Sequence, residues 1–272
     1  MGPLEKIRPR ARGLVSSRVA GARVEVDLQP PPEDLSPFVE RLWVGRWDLP
    51  AEAPHTTRLL ADPCLHVVLS WGDAPKPPTR LVGIWTQLWV NRLEGRGVVR
   101  GLKLKAGAAG ALLGDAARLT DRVAPVRDFF ADAPSRSGLT DRPEDDAEAL
   151  KRLTTWLRRH LSPRPDTAAG MEACVRVRAE GEILRVDQLA AALGRTERSV
   201  QRLFRSQVGA SPKFVIRRHR LQEAALRLER GEASSLTELA HDLGYADQAH
   251  FARDWKAATS TSATTFARDV HR

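Results

Sequence analysis

Apolar and polar positions follow two different periods along the chain, one in each half. Between Val24 and Leu104, short apolar runs are separated by Pro and Gly, and Leu102 and Leu104 alternate with lysines. This two-residue period is typical of strands with one wet face. From Asp145 onward, apolar residues recur every three or four positions, as on one face of a helix. The pattern predicts an α+β chain, with an N-terminal, mostly antiparallel β-rich domain followed by an all-α C-terminal domain.

The same patterns predict individual elements in the first part of the chain. The predicted strands are Val24 to Leu28, Arg41 to Asp48, Thr57 to Leu60, His66 to Ser70, Leu81 to Trp85 and Val98 to Leu104. Short helices are expected in Gly110 to Leu119 and around Val126 to Phe130. A longer amphipathic helix is expected from Asp145 to Leu161, and its apolar stripe must pack on one of the two domains or on a second copy of the chain.

The C-terminal half contains one pattern twice. LAAALG at Leu189 to Gly194 returns as LAHDLG at Leu239 to Gly244, and the residues that follow stay in phase. Each copy predicts a helix, a tight turn and a second helix, because Gly accepts the left-handed conformation that ends a helix. Thr196 and Asp247 are placed to cap the second helices. The pattern therefore predicts two helix-turn-helix units with a shared task.

The second helix of each unit has an apolar side and a polar side. Val200, Leu203 and Phe204 in the first unit, with Phe251 and Trp255 in the second, are predicted to point inward. Arg can bond bidentately to guanine and Gln to adenine in the major groove, so the polar sides predict DNA contacts. The predicted DNA-binding residues are Arg198, Gln201, Arg202 and Arg205 in the first unit, and Gln248, Ala249, His250 and Arg253 in the second.

A connecting helix is predicted between the two units. Ser211 and Pro212 are favoured at a helix start, and Gly231 ends the pattern. At 1.5 Å per residue the connector is about 27 Å long. It can hold two recognition helices near one DNA turn apart, about 34 Å, in successive major grooves.

Residues from about 175 to 270 resemble the DNA-binding domain of the AraC/XylS family of bacterial transcription regulators. The departures from the family pattern are local: Ala249, Trp255, Ser260 and Ala263 replace the usual Ser, Phe, Gly and Pro. The resemblance implies a cytoplasmic bacterial regulator that binds double-stranded promoter DNA and works with RNA polymerase. The residues that carry it are Leu189, Ala190, Leu193, Gly194, Leu203, Phe204, Arg205, Gly209, Ser211, Pro212, Arg220, Leu221, Ala224, Leu239, Ala240, Gly244, Tyr245, Asp247, Phe251, Arg253, Trp255, Lys256 and Phe266.

Residues 30 to 130 more loosely resemble the N-terminal domain of one group of AraC-type regulators. The resemblance is carried by PFVERLWVGRWDLP, HTTRLLADPCLHVV and GRGVVRGLKLKAGAAGALLG. It implies a sensor that takes a small-molecule effector, or an assembly domain that forms a homodimer. Large aromatic side chains in a small sheet domain can line an apolar ligand pocket or simply form the core. The tryptophans of this region are Trp43, Trp47, Trp71, Trp85 and Trp89.

Charge and composition narrow the class of protein. A net charge of +9 and a pI near 10.3 suit a polyanionic partner or an anionic membrane surface. No apolar run reaches the length of a membrane span, and we expect no membrane partner. Cys64 and Cys174 do not suggest a disulfide framework, so a reducing cytosol is expected.

Composition shifts divide the chain into four predicted segments. Residues 1–22 are a basic arm, expected to be disordered, and 23–134 form the N-terminal sensor or assembly domain. Residues 135–170 form a linker that carries the amphipathic helix, and the motif PRPD, 163–166, is expected to break the chain there. The DNA-binding domain is predicted at 171–272.

One cluster of metal-ligand residue types leaves an alternative open. His55, Asp62, Cys64 and His66 are close in sequence, but a tetrahedral site needs further ligands and supporting contacts. A buried thiol and a buried imidazole are the expected interpretation, with no metal, no cofactor and no enzymatic activity. The alternatives are a metal-dependent enzyme on the N-terminal domain with accessory DNA binding, and a ligand-free architectural DNA-binding protein.

Overall fold

The computed structural model describes residues 14–16, 23–50, 54–73 and 77–270. Within these ranges the chain forms strands first and helices afterwards. The strands are β1 Leu14–Ser16, β2 Arg23–Gln29, β3 Val39–Asp48, β4 His55–Leu59, β5 His66–Gly72, β6 Thr79–Val82, β7 Trp89–Leu93, β8 Arg96–Leu104 and β9 Val123–Pro125. The helices are α1 Ala109–Leu113, α2 Asp146–His160, α3 Pro165–Ala179, α4 Val186–Ala192, α5 Glu197–Leu203, α6 Pro212–Arg230, α7 Leu236–Asp242, α8 Gln248–Thr259 and α9 Ala263–Val270.

The strands form two antiparallel sheets, which confirms the predicted α+β class. The larger sheet has the order β2-β3-β8-β5-β6-β9, and the smaller has β1-β4-β7. At the centre of the larger sheet, Trp43 and Trp47 of β3 lie opposite Gly101 and Gly97 of β8. A Cβ at Gly101 would lie 2.6 Å from Cε2 of Trp43, so the indole ring fills the space that this glycine leaves.

Helix α2 covers one face of the larger sheet and contacts β8 and β5. Its buried stripe includes Leu153, Trp156 and Leu157. The fully buried guanidinium of Arg100 on β8 donates to Asp146, at the start of α2, with an Nε–Oδ1 distance of 2.6 Å. The predicted linker helix is therefore part of the sheet domain, which settles what its apolar stripe packs against.

Several predicted elements differ from the observed ones for local reasons. The predicted helix from Gly110 to Leu119 breaks at Gly114, whose φ of 72° ends α1, and a 3₁₀ turn at Ala116–Leu119 follows. The helix expected around Val126 is only the 3₁₀ turn Val126–Asp128. Strand β6 is Thr79–Val82 rather than Leu81 to Trp85, and the short strands β1, β7 and β9 were not predicted. Strands of three to five residues carry too few positions for a clear period.

The expected chain break at 163–166 is wrong in part. Helix α3 begins at Pro165, because Pro is favoured in the first turn of a helix, where its missing N–H has no partner to lose. The predicted boundary at 170/171 therefore falls inside α3. The division into four segments remains a prediction, and the buried core does not follow it.

The predicted disordered arm, 1–22, lies outside the described residues except for 14–16. Those three residues form β1, which pairs with β4 at the edge of the smaller sheet. Here the expectation of disorder is corrected. Residues Leu14 and Val15 are apolar, and an open strand edge offers unpaired backbone groups to such a segment.

Most buried apolar residues of the described chain belong to one of two clusters. The larger extends from Leu35 to Ile216 and joins the sheet, α2, α3 and the first helix-turn-helix unit. The smaller begins at Leu221 and contains the second unit. The boundary between them falls inside α6, so the first unit shares a core with the N-terminal part of the chain and the second does not.

Candidate nucleic-acid interface

The first helix-turn-helix unit consists of α4, a tight turn and α5. Gly194 in the turn has a φ of 61°, the left-handed conformation that the sequence predicted. The hydroxyl of Thr196 caps α5 by accepting from the backbone N–H of Ser199 at 3.2 Å. Val200 and Phe204 are fully buried and fix the inward side of the helix. The predicted geometry of the first unit is confirmed.

The second unit repeats this geometry with α7, a turn and α8. Gly244 has a φ of 72°, and the Asp247 carboxylate accepts from the N–H of His250 at 2.6 Å. Phe251 and Trp255 are buried, and Trp255 packs edge-on against Phe266 of α9. A charged N-cap at the start of α8 also favours the positive end of the helix dipole.

The predicted DNA-binding side chains all lie on the exposed sides of α5, the turn after it, and α8. This exposed set is Arg198, Gln201, Arg202, Arg205, Gln248, Ala249, His250 and Arg253. Two of them have local contacts: the Gln248 amide oxygen accepts from the Thr237 hydroxyl at 2.8 Å, and His250 packs edge-on against Tyr245. The exposed side of α5 and the turn after it presents three guanidiniums, whereas that of α8 presents one.

The end of α5 contacts the N-terminal part of the chain. A single turn of π-helix, Phe204–Val208, follows α5 and ends at Gly209. The Thr120 hydroxyl donates to the carbonyl oxygen of Gly209 at 2.6 Å. The Gln207 side chain, 5% exposed, accepts from the Thr167 hydroxyl of α3 at 3.1 Å. These contacts join distant parts of the sequence, and no local pattern predicted them.

Ion pairs hold the connecting helix α6 on two sides. Arg218 donates to the carbonyl oxygen of Ala61 and pairs with Asp62 at 3.3 Å, and Asp62 also contacts Lys103 at 2.6 Å. On the other side, Arg217 pairs with Asp254 of α8 at 3.2 Å. Neighbouring residues of one helix thus bind the sheet domain and the second recognition helix.

Arg220, in the next turn of α6, lies over the Tyr245 ring with its guanidinium carbon 3.7 Å from the ring centroid. Tyr245 contacts both His250 and Phe251 of α8. The connection from α6 to the recognition helix of the second unit is therefore made by cations on α6 and an aromatic ring, in addition to the smaller apolar cluster.

Comparison with known proteins identifies this part of the chain. Residues 189–269 match the family model of a helix-turn-helix domain, which is of the AraC type. The C-terminal domain is an AraC-type DNA-binding domain. The chain is accordingly a DNA-binding transcription regulator. Residues 28–125 match a domain of unknown function (DUF6597). No curated protein matches the chain.

Solved structures similar to this chain include two bacterial proteins. A transcriptional regulator from Chromobacterium violaceum is 22% identical over 37% of this chain and 90% of its own, with a TM-score of 0.34. ToxT from Vibrio cholerae is 11% identical over 91% of this chain and 98% of its own, with a TM-score of 0.40. ToxT with a bound unsaturated fatty acid is 12% identical over 79% and 94%, with a TM-score of 0.38. Likeness at this level carries no mechanism from those proteins to this one.

Three of the four candidate metal ligands, Asp62, Cys64 and His66, lie close enough to Lys103 for its charge to act on them. Burial works to raise the pKa of Asp62, but Lys103 and Arg218 outweigh it and hold that pKa well below its usual range. Burial raises the pKa of the Cys64 thiol, and burial with the charge of Lys103 lowers the pKa of His66 to about 4. His55 is 3% exposed, and both of its ring nitrogens lack a hydrogen-bond partner in the described chain.

Neither a metal-binding cluster nor a membrane-spanning helix occurs among the described residues. Among them, no three His, Cys, Asp or Glu side chains converge in a way that could hold a metal ion. In the same part of the chain, no helix combines the length and apolar character required to cross a membrane.

Proposed function

We propose that the regulator binds an operator with two half-sites about one helical turn apart, one for each helix-turn-helix unit. The observation that carries this proposal is the exposure of polar side chains on α5 and α8 while the opposite sides are buried. Arg198, Gln201 and Arg202 read bases in one major groove, and Arg205 contacts phosphate. Gln248, His250 and Arg253 act in the next groove, where Ala249 allows close approach.

The length of α6 supports this spacing. The helix has 19 residues, which at 1.5 Å each amounts to about 28 Å. This length is close to one DNA turn of about 34 Å. The net charge of +9 adds attraction to the phosphate backbone that does not depend on sequence.

We propose that the N-terminal part is a regulatory domain that modulates this DNA binding. We also propose that the chain is divided at the boundaries of the four segments given above. The modulation is supported by direct contact, since Thr120 and Asp62 reach the first unit and α6. A small-molecule effector, a homodimer or both act through the N-terminal part, and RNA polymerase is the partner at the promoter. The protein works in the cytoplasm as a regulator and not as an enzyme, with no cofactor. Asp62, one of the candidate metal ligands, is already neutralised by Lys103 and Arg218.

Selection of DNA fragments from a genomic library with the purified full chain, at fixed near-physiological salt, tests the proposal. Two short conserved blocks about ten base pairs apart are expected, because the recognition helices face successive grooves. A single block would contradict bipartite reading. Binding without any motif would contradict sequence-specific regulation and favour an architectural protein held by phosphate attraction alone.

A further inference from the structure

The turn after α5 has an unusual backbone that directs one polar side chain inward. Residues Phe204–Val208 form a π-helical turn, which places Gln207 on the buried side of the unit. Gly209 closes this turn with a φ of 76°, and its N–H donates to the Phe204 carbonyl at 2.8 Å. Single π-helical turns are rare and recur at functional positions.

Two glycines from separate helices form a slot for Gln207. A Cβ at Gly110 of α1 would lie 2.1 Å from the Gln207 amide oxygen, and one at Gly170 of α3 would lie 2.7 Å from the Gln207 Cβ. The Thr167 hydroxyl donates to the same amide oxygen at 3.1 Å. The side chain is therefore enclosed by backbone, which cannot give way as a flexible side chain would.

The residue that ends the turn is held by the sheet domain as well. The Thr120 hydroxyl donates to the Gly209 carbonyl at 2.6 Å. A Cβ at Gly209 would lie 2.9 Å from the Ala116 carbonyl oxygen and 3.0 Å from Cδ1 of Ile84. Together with the glycine slot, these contacts fix the C-terminal end of the recognition helix from several directions.

The opposite face of the recognition helix remains free to meet DNA. Arg198, Gln201 and Arg202 are exposed although Phe204 and Gln207 are buried against the rest of the chain. The N-terminal part can thus stay docked while the first unit occupies a major groove. The second unit lies in the other apolar cluster, and its recognition helix is attached through α6.

From these contacts we propose that the N-terminal part of the chain holds the first recognition helix in the position from which it contacts DNA bases. Gln207 and Thr120 are positioning residues for base reading by α5, and a structural change transmitted through these two residues alters the first half-site. This inference rests on the proposed bipartite DNA binding. It goes beyond it by assigning this contact to one of the two half-sites.

The test uses Thr120→Val in the full chain, which removes the hydroxyl and keeps the shape of the side chain. Affinities are measured for the selected operator and for operators mutated in one half-site. The half-site whose bases stop mattering in Arg202→Ala is the first one. We expect Thr120→Val to reduce discrimination at that half-site by about threefold or more, with the second half-site unchanged. Thr120→Ser, which keeps the donor, should retain the wild-type preference.

Thr79→Val is the matched control, since the Thr79 hydroxyl also donates to a backbone carbonyl, that of Pro134 at 3.2 Å, away from α5. It should change neither half-site. If Thr120→Val does not fold, Gln207→Asn, which shortens the enclosed side chain, is measured in its place. Equal changes at both half-sites, or no change in a folded variant, would contradict the proposal that the N-terminal part positions the first recognition helix. Loss of any effect of Arg202→Ala would instead overturn the DNA-binding assignment beneath it.

Discussion

The two helix-turn-helix units have the same local geometry but different support. The buried residues of the first continue into the core of the sheet domain, whereas those of the second form a smaller cluster of their own. Between the two clusters, α6 carries the polar residues Arg217, Arg218, His219 and Arg220. A duplicated sequence motif thus does not imply duplicated energetics, because the surroundings of each copy determine how firmly it is held.

The largest expected effect comes from removing one buried aromatic side chain in each unit. Phe204→Ala and Trp255→Ala should each cost about 3 to 5 kcal/mol, because both leave a large cavity. Limited proteolysis with mass spectrometry distinguishes the consequences. Trp255→Ala should expose cleavage sites only beyond Leu221, whereas Phe204→Ala should also expose sites in the sheet domain.

Val175→Ala, on an exposed position of α3, is the control for substitution as such. Cleavage of the sheet domain in Trp255→Ala would show that the two clusters unfold together. That result would remove the distinction between the units.

Acid should destabilise the larger apolar cluster through His66. Burial, with the positive charges of Lys103 and Arg41, lowers the pKa of His66 to about 4, although Asp62 and Glu40 oppose the shift. The unfolded chain binds this proton below about pH 6.5, so the stability gained from a neutral His66 is lost as the pH falls from about 6.5 to about 4. The loss should amount to no more than about 3.5 kcal/mol.

Thermal unfolding measured across this pH range checks the effect. His66→Gln should flatten the pH dependence of the Tm in this window. An unchanged pH dependence in His66→Gln would mean that another group titrates in this window.

The smallest expected effects concern DNA. Arg202→Ala should cost about 1 to 3 kcal/mol on the selected operator and relax the preference at particular bases, and Arg198→Ala should do the same. Arg253→Ala should relax the preference at the second half-site, because Arg253 is proposed to act in the next major groove. If the second unit mostly contacts the DNA backbone, the change should instead weaken binding to all sequences alike and reduce the salt slope by about 1.

Arg268→Ala on α9, an exposed arginine outside both recognition helices, is the matched control. Equal weakening on all sequences in Arg253→Ala would show that the second unit mostly contacts the DNA backbone. Full affinity and preference in Arg202→Ala would remove α5 from the interface.

Much of the C-terminal fold could be predicted because its signals are local. Gly194 and Gly244 adopt the left-handed conformation that ends a helix, and Thr196 and Asp247 cap the next one, all within a few residues. The exposure of the candidate DNA-binding residues follows from the helical period in the same way. Their contacts with bases remain a prediction.

The support of each unit could not be predicted from local patterns. The slot for Gln207 depends on Gly110 and Gly170, and the contact of Asp62 with Arg218 joins the sheet domain to α6. Such pairs are distant in sequence, so nothing in the spacing of either residue indicates the other. Asp62 was grouped with metal ligands because it is close to Cys64 and His66 in sequence, whereas its carboxylate binds two cations from other elements.

Native-state hydrogen exchange of the full chain tests the division between the units most directly. Amides of Val200 to Gln207 should exchange with the same opening free energy as those of β5 and β8, because they share one apolar cluster. Amides of Phe251 to Trp255 should exchange through a separate opening of lower free energy. Equal opening free energies in both recognition helices, or a first unit that opens independently of the sheet, would contradict the account.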